Sequence, residues 1–172
     1  MELELTALDD HLADHDVDGY LIDADSTDPN QRYLSGFDAP DPFLTCYTPD
    51  GLAVLVSGLE YSRAVTESRA DTVKRPADYD RRRLLSEYGP TEATHRINSA
   101  FLADCGVDSV FVPDRFPLST ADGLRGQGHT VSVDTDDVLM DIRAVKHADE
   151  IDHIRAAQRA NETAIAAAGA LL

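Results

Sequence analysis

Apolar positions recur along the chain in two periods, near 3.6 and near 2, and their alternation sets out an order of elements. Leu5, Leu8 and Leu12 mark one face of an opening helix, with Asp9, Asp10 and Asp14 on its wet side. Asp18-Gly19 turns the chain into Tyr20-Leu21-Ile22, a short apolar run of the buried-strand kind. Asp28-Pro29-Asn30 breaks that run, and Gly36, Pro40 and Pro42 predict a structured loop behind it. Phe43 to Tyr47 and Leu52 to Val56 predict a hairpin around Pro49-Asp50-Gly51. Glu60 to Glu67 reads as a short helix and Thr72-Val73-Lys74 as a strand. Pro76 to Pro90 is polar, whereas Thr91 to Asp104 is amphipathic through Ile97, Ala100 and Phe101, with Gly106 as its left-handed stop. Ser109 to Val112 is a strand ended by Pro113, Ser119 to Arg125 a helix closed by Gly126 and Gly128, and Thr130 to Val133 a last strand.

One stretch echoes another. Leu12-Ala13-Asp14 leads through Val17-Asp18 into the strand at Tyr20, and Leu102-Ala103-Asp104 leads through Val107-Asp108 into the strand at Val110. Both are helix, tight turn, strand. Helices alternating with strands, plus one hairpin, predict an α/β fold with a mixed β-sheet flanked by helices on both faces.

The tail departs from this rhythm. The stretch from Val138 to Ile151 runs on as helix to the last residue, with His147 at a candidate N-cap position and Asp149 and Glu150 in the first turn, where carboxylates favour the positive end of the dipole. Ile151, Ile154, Gln158, Ile165, Ala168 and Leu172 share a helical stripe that wants burial. The pattern still runs at Leu172, so the expectation is a domain over residues 1–144, then a junction and the first helix of a further domain over 145–172.

Charge changes the picture next. The formal net charge is −17, from 32 acids against 15 bases; 24 of the acids are Asp, and only Lys74 and Lys146 are lysines. Such a chain repels phosphate backbones, which argues against nucleic-acid partners. The acids are dispersed among patterned apolar segments, so disorder is not implied. The composition resembles that of haloarchaeal proteins, whose self-repulsion is screened where the Debye length falls to about 3 Å in molar salt. No apolar run reaches the length of a membrane span and Met1-Glu2-Leu3-Glu4 is unlike a signal peptide, which predicts a cytoplasmic protein.

Candidate chemistry is sparse. Asp23-Ala24-Asp25-Ser26-Thr27 follows a strand and resembles the first motif of haloacid-dehalogenase-type phosphatases, in which one Asp attacks phosphorus and the second handles a proton beside Mg²⁺. Lys74 lacks the setting such an enzyme needs, and Asp136-Asp137 lacks flanking small residues. His11 and His15 stand one turn apart, a spacing that can bind zinc, but Leu12 replaces the zincin Glu and no third ligand is evident. Cys46 and Cys105 read as small buried thiols, and the Arg81-Arg82-Arg83 triplet as an offset for local carboxylates.

Three segments carry a family resemblance. Gly19-Tyr20-Leu21-Ile22 followed by Asn30-Gln31-Arg32-Tyr33-Leu34-Ser35-Gly36-Phe37 resembles the Asn-x-x-Tyr-Leu-(Thr/Ser)-Gly-Phe element of the creatinase/prolidase N-terminal domain. Leu55-Val56 with Glu60-Tyr61 and Ala64 is similar to that family's strand-to-helix passage. Arg143-Ala144-Val145-Lys146 through Glu150-Ile151 and Ile154-Arg155 resembles its interdomain junction, with His147 in place of the usual Ser.

The resemblance implies a noncatalytic N-terminal domain of an Xaa-Pro metallopeptidase, followed in the parent by a pita-bread catalytic domain. That second domain would hold two divalent metal ions and hydrolyse the bond before proline. It further implies a homodimer, proline-containing peptides as the parent's substrates, and a domain that shapes one wall of the pocket. In this chain the loop from Tyr33 to Asp41 is the one so implicated, with Tyr33, Phe37 and Asp38 as its candidates and no catalytic or metal-ligating residue. Asp38 would meet a peptide's N-terminal ammonium; as a turn residue it would cap local backbone instead. Two other functions stand beside this one: a stand-alone binding or dimerisation module, and a Mg²⁺-dependent phosphatase built on Asp23 and Asp25.

Overall fold

A computed structural model of the protein describes residues 3–146 and 148–169, the side chain of Asp149 excepted. The His147 N-cap and the stripe position Leu172 lie outside the described residues.

The strands form one mixed six-stranded sheet. In chain order they are β1 (Gly19–Ala24), β2 (Phe43–Thr48), β3 (Gly51–Leu55), β4 (Thr72–Lys74), β5 (Ser109–Val112) and β6 (Thr130–Val133), and their spatial order is β4-β3-β2-β1-β5-β6. β2 and β3 pair antiparallel across a two-residue turn at Pro49-Asp50, with Thr48 opposite Gly51. β1 pairs antiparallel with β2 and parallel with β5, and β5 runs parallel to β6. The two echoing helix–turn–strand units therefore end in adjacent parallel strands. Asp18 Oδ2 joins their turns, accepting from the Asp108 and Ser109 backbone N–H groups at 3.0 and 2.8 Å and from the Ser109 hydroxyl at 2.8 Å.

The period of two in the strands divides the core between two faces. Leu21, Leu44, Cys46, Ala53, Leu55, Val110, Val112 and Val131 point to one face. There they meet Ile97, Phe101 and Leu102 of α4 (Arg81–Asp104) and Ala121 and Leu124 of α5 (Leu118–Gly126). Tyr20, Ile22, Tyr47, Leu52 and Phe111 point the other way, onto Leu8 and Leu12 of α1 (Thr6–Asp14), Leu34 of α2 (Pro29–Ser35) and Leu139 of α6 (Val138–Ala144). A third cluster packs Phe37, Phe43, Val54 and Val56 against Ala64 of α3 (Tyr61–Glu67). Each fully buried Leu or Phe contributes roughly 1.5–3 kcal/mol.

Two segments differ from the sequence expectation. Residues 29–35, read as loop, are the helix α2. Asp28 is its N-cap, accepting from the N–H of Asn30 and of Gln31 at 2.9 Å each, and Pro29 fills the first turn, so what looked like a break is a helix start. Residues 76–90, read as polar and unpatterned, hold a 3-10 turn and the first half of α4. That helix bends at Gly89, whose φ of 77° is open to glycine, just before Pro90, and only Leu84 of its first half is buried. The tail is two helices, with α7 (Ala148–Gly169) starting after a break at Val145.

Candidate functional site

The residues that carry the family resemblance converge on α2 and its flanks. Gln31 is fully buried and donates through Nε2 to Ala24 O at 3.0 Å and to Phe43 O at 2.8 Å, holding α2 against the ends of β1 and β2. α2 stops at Gly36, whose φ of 62° suits glycine, and Gly36 N–H bonds Arg32 O. Arg69 lies against this end: its guanidinium donates to Tyr33 O at 2.5 Å and its backbone N–H to Ser35 O at 2.8 Å. A cation at a helix C-terminus is favourably placed.

Beyond Gly36 the side chains divide. Phe37 turns inward and is fully buried, with its ring edge-on to Phe43 at 5.7 Å, so it shapes the loop from beneath. Asp38 turns outward. Its Oδ1 accepts from Ser26 Oγ at 2.8 Å and pairs with Arg32 Nη1 at 2.9 Å; these two partners, Arg32 first, hold its carboxyl below the usual carboxylate range. Arg63 closes the group by donating to Asp38 O at 3.1 Å and lying 5.3 Å over the Phe37 ring. Asp38 is thus ionised and already paired, and a ligand ammonium there would compete with Arg32.

Tyr33 is half-buried on the side of α2 that faces the junction, and its buried hydroxyl has no hydrogen-bond partner among the described residues. Burial, with Glu150 acting the same way, pushes its pKa up, against Arg69 and Arg143. Arg143 Nη1 donates to Asn30 Oδ1 at 2.8 Å, so the junction motif and the α2 motif are in contact. α7 leaves this junction with its stripe open: Ile154 is 54% and Ile165 73% exposed.

The phosphatase alternative finds no support in the geometry. Asp23 accepts from Thr120 Oγ1 at 2.7 Å and burial pushes its carboxyl up, whereas Asp25 Oδ1 accepts from the N–H and hydroxyl of Thr27 within its own turn. Among the described residues no trio of ligand side chains includes either aspartate. The trio that does converge is His11, His15 and Asp136. The two histidines were visible as a pair in sequence, but their third partner comes from the far side of the chain and needed the fold. Cys46 and Cys105 likewise prove to be neighbours, Cys105 packing against the core cluster that holds Cys46.

Solved structures share this architecture. A prolidase from Pyrococcus horikoshii OT3 superposes with a TM-score of 0.61 at 20% identity, over 86% of this chain and 37% of that one. An X-Pro aminopeptidase from Thermotoga maritima MSB8 gives 0.62 at 14% identity, over 88% and 38%. The N-terminal domain of the cytoplasmic peptidase PepQ from Mycobacterium tuberculosis H37Rv gives 0.55 at 17% identity, over 79% of this chain and 95% of that one. At these identities the likeness establishes fold, and this chain spans well under half of the prolidase and aminopeptidase chains. No curated protein matches in sequence. The creatinase/prolidase N-terminal domain family model matches residues 5–145, from the foot of α1 to the end of α6. Since that span takes in the whole sheet, its covering helices and the contact between the two motifs, the chain belongs to the creatinase/prolidase N-terminal domain family.

Proposed function

We propose that this chain is the noncatalytic N-terminal part of an Xaa-Pro metallopeptidase, a dipeptidase or an aminopeptidase acting on the bond before proline. In this reading it docks on its own catalytic domain, shapes one wall of the substrate pocket through Asp38 and its partners, and takes part in a homodimer. The observation that carries the reading is α7. The family match ends at residue 145, and the helix that follows presents Ile154 and Ile165 to solvent beside a domain whose own two faces are already filled. An apolar helical stripe left open next to a closed core is a surface for another folded body.

The two metal ions belong to that other body. Two Asp, one His and two Glu form the expected ligand set, and the described residues assemble nothing of that composition, so no step of peptide hydrolysis is assigned to them. Among the described residues no helix is long and apolar enough to cross a membrane, and the charge of −17 disfavours nucleic acid. A cytoplasmic, salt-rich compartment fits both. The test is the coding sequence after codon 172, together with the activity of its product. A frame that encodes the five-ligand set and releases proline from Xaa-Pro peptides supports the proposal. A stop codon there supports a stand-alone dimerisation module.

A further inference from the structure

We infer that His11, His15 and Asp136 form a binding site for one borderline divalent transition-metal ion, with Zn²⁺ as the reference ligand. His11 and His15 share one face of α1, and both rings contact Phe111 of β5, His11 tilted at a centroid distance of 5.1 Å and His15 edge-on at 5.4 Å. Asp136 comes from the loop between β6 and α6. One ligand atom from each of the three side chains lies within 4.8 Å of the others.

The surroundings prepare these atoms for a cation. His15 Nδ1 lies 2.9 Å from His11 O. A carbonyl only accepts, so Nδ1 carries the proton and Nε2 keeps a free lone pair, the arrangement usual for a ligating histidine. His11 Nε2 is buried and stands 3.2 Å from Asp134 Oδ1, an ion pair when the ring is protonated though outside hydrogen-bond alignment, so a carboxylate already lies beside the cluster. Buried Asp134 also fixes the loop, its two oxygens accepting from the N–H of Asp136 and of Val138 at 3.1 Å each, which sets Asp136 beside the imidazoles.

Two imidazoles and a carboxylate select Zn²⁺, Co²⁺, Ni²⁺ or Cu²⁺ over Mg²⁺ and Ca²⁺, and three protein ligands leave a position for water. The ion clips the first helix of the domain to the loop that launches α6. It is independent of the peptidase reading and of any metals in another domain.

The test uses the 172-residue chain, stripped with chelator and titrated with Co²⁺ by visible absorption and with Zn²⁺ by calorimetry and thermal unfolding. One equivalent is expected to bind and to raise the thermal midpoint, with Mg²⁺ inert at equal concentration. His15→Gln and Asp136→Asn, both exposed positions, keep the metal-free midpoint and each weaken Zn²⁺ binding at least tenfold. His153→Gln and Cys105→Ser leave binding unchanged. Absent stoichiometric binding, full affinity in His15→Gln or Asp136→Asn, an equal response to Mg²⁺, or loss of binding in Cys105→Ser would each overturn the site.

Discussion

Arg143 donates to Asn30 across 2.8 Å, and the two residues come from opposite ends of the domain. The bond ties α6, the last helix before the junction, to the first turn of α2, so the segment leading to α7 is anchored on the motif helix. Both side chains are half-buried, which keeps water from replacing the lost partner fully.

Arg143→Ala is therefore expected to cost about 1.5–3 kcal/mol, the range for hydrogen bonds to a charged group. For a domain of this size that lowers the thermal midpoint by roughly 3–12 °C. Asn30→Ala should cost less, and the double variant should fall short of the sum, because the two residues share one interaction. Full additivity in a double-mutant cycle would show that the bond contributes nothing.

Asp18 sets an acid limit. The Ser109 hydroxyl, ahead of the backbone N–H groups of Ser109 and Asp108, holds its carboxyl below the ordinary range, against some opposition from burial. The folded pKa is lowered, so its contribution is fully present above the unfolded value of about 4 and is lost as pH falls through the folded value. Asp18→Asn is expected to lower stability by about 1 kcal/mol at pH 7 and to leave it nearly unchanged at the lowest pH where the fold persists. Urea titrations across that range measure the difference.

The two thiols should be told apart by alkylation. The neighbouring Cys46 thiol lowers the pKa of Cys105, while Cys105 and burial push the Cys46 thiol well up. Cys105 also lines an open cleft of about 470 Å³ with Lys74 and Asp104, whereas Cys46 is buried. Iodoacetamide at pH 7.5 is expected to label Cys105 at least tenfold faster, with Cys46 reacting only on unfolding, as peptide mass analysis would read out.

The acidic surface predicts salt dependence. With a net charge of −17, self-repulsion is strong at low ionic strength and is screened as the Debye length falls from about 10 Å at 0.1 M to about 3 Å at 1 M. The thermal midpoint should rise by several degrees between 0.1 and 2 M KCl. A flat or falling midpoint would remove the halophilic reading.

How much of this was legible in the sequence depended on how local each signal was. The hairpin was readable because Pro49-Asp50-Gly51 sits between two short apolar runs. The helix α2 was not, because Asp28-Pro29 ends one element and starts another with the same two residues. The first half of α4 was missed because Leu84 is its one buried position and Gly89-Pro90 interrupts the period. The motif residues Asn30 and Arg143 were both singled out, yet their contact follows only from the strand order. The same holds for Asp136 beside His11 and His15, and for Cys46 beside Cys105. Phe37 was singled out as a candidate for the pocket wall; its burial was hidden because the residue after a left-handed glycine can turn either way.

The proposal to be tested is that this domain belongs to a peptidase without performing its chemistry. Its most direct test is proline release from an Xaa-Pro dipeptide by the 172-residue chain, supplied in turn with Mn²⁺, Co²⁺ and Zn²⁺. The account predicts no release above the metal-only control, even with the His11, His15 and Asp136 site loaded. Multiple-turnover, chelator-sensitive release that follows the folded chain through purification would contradict it.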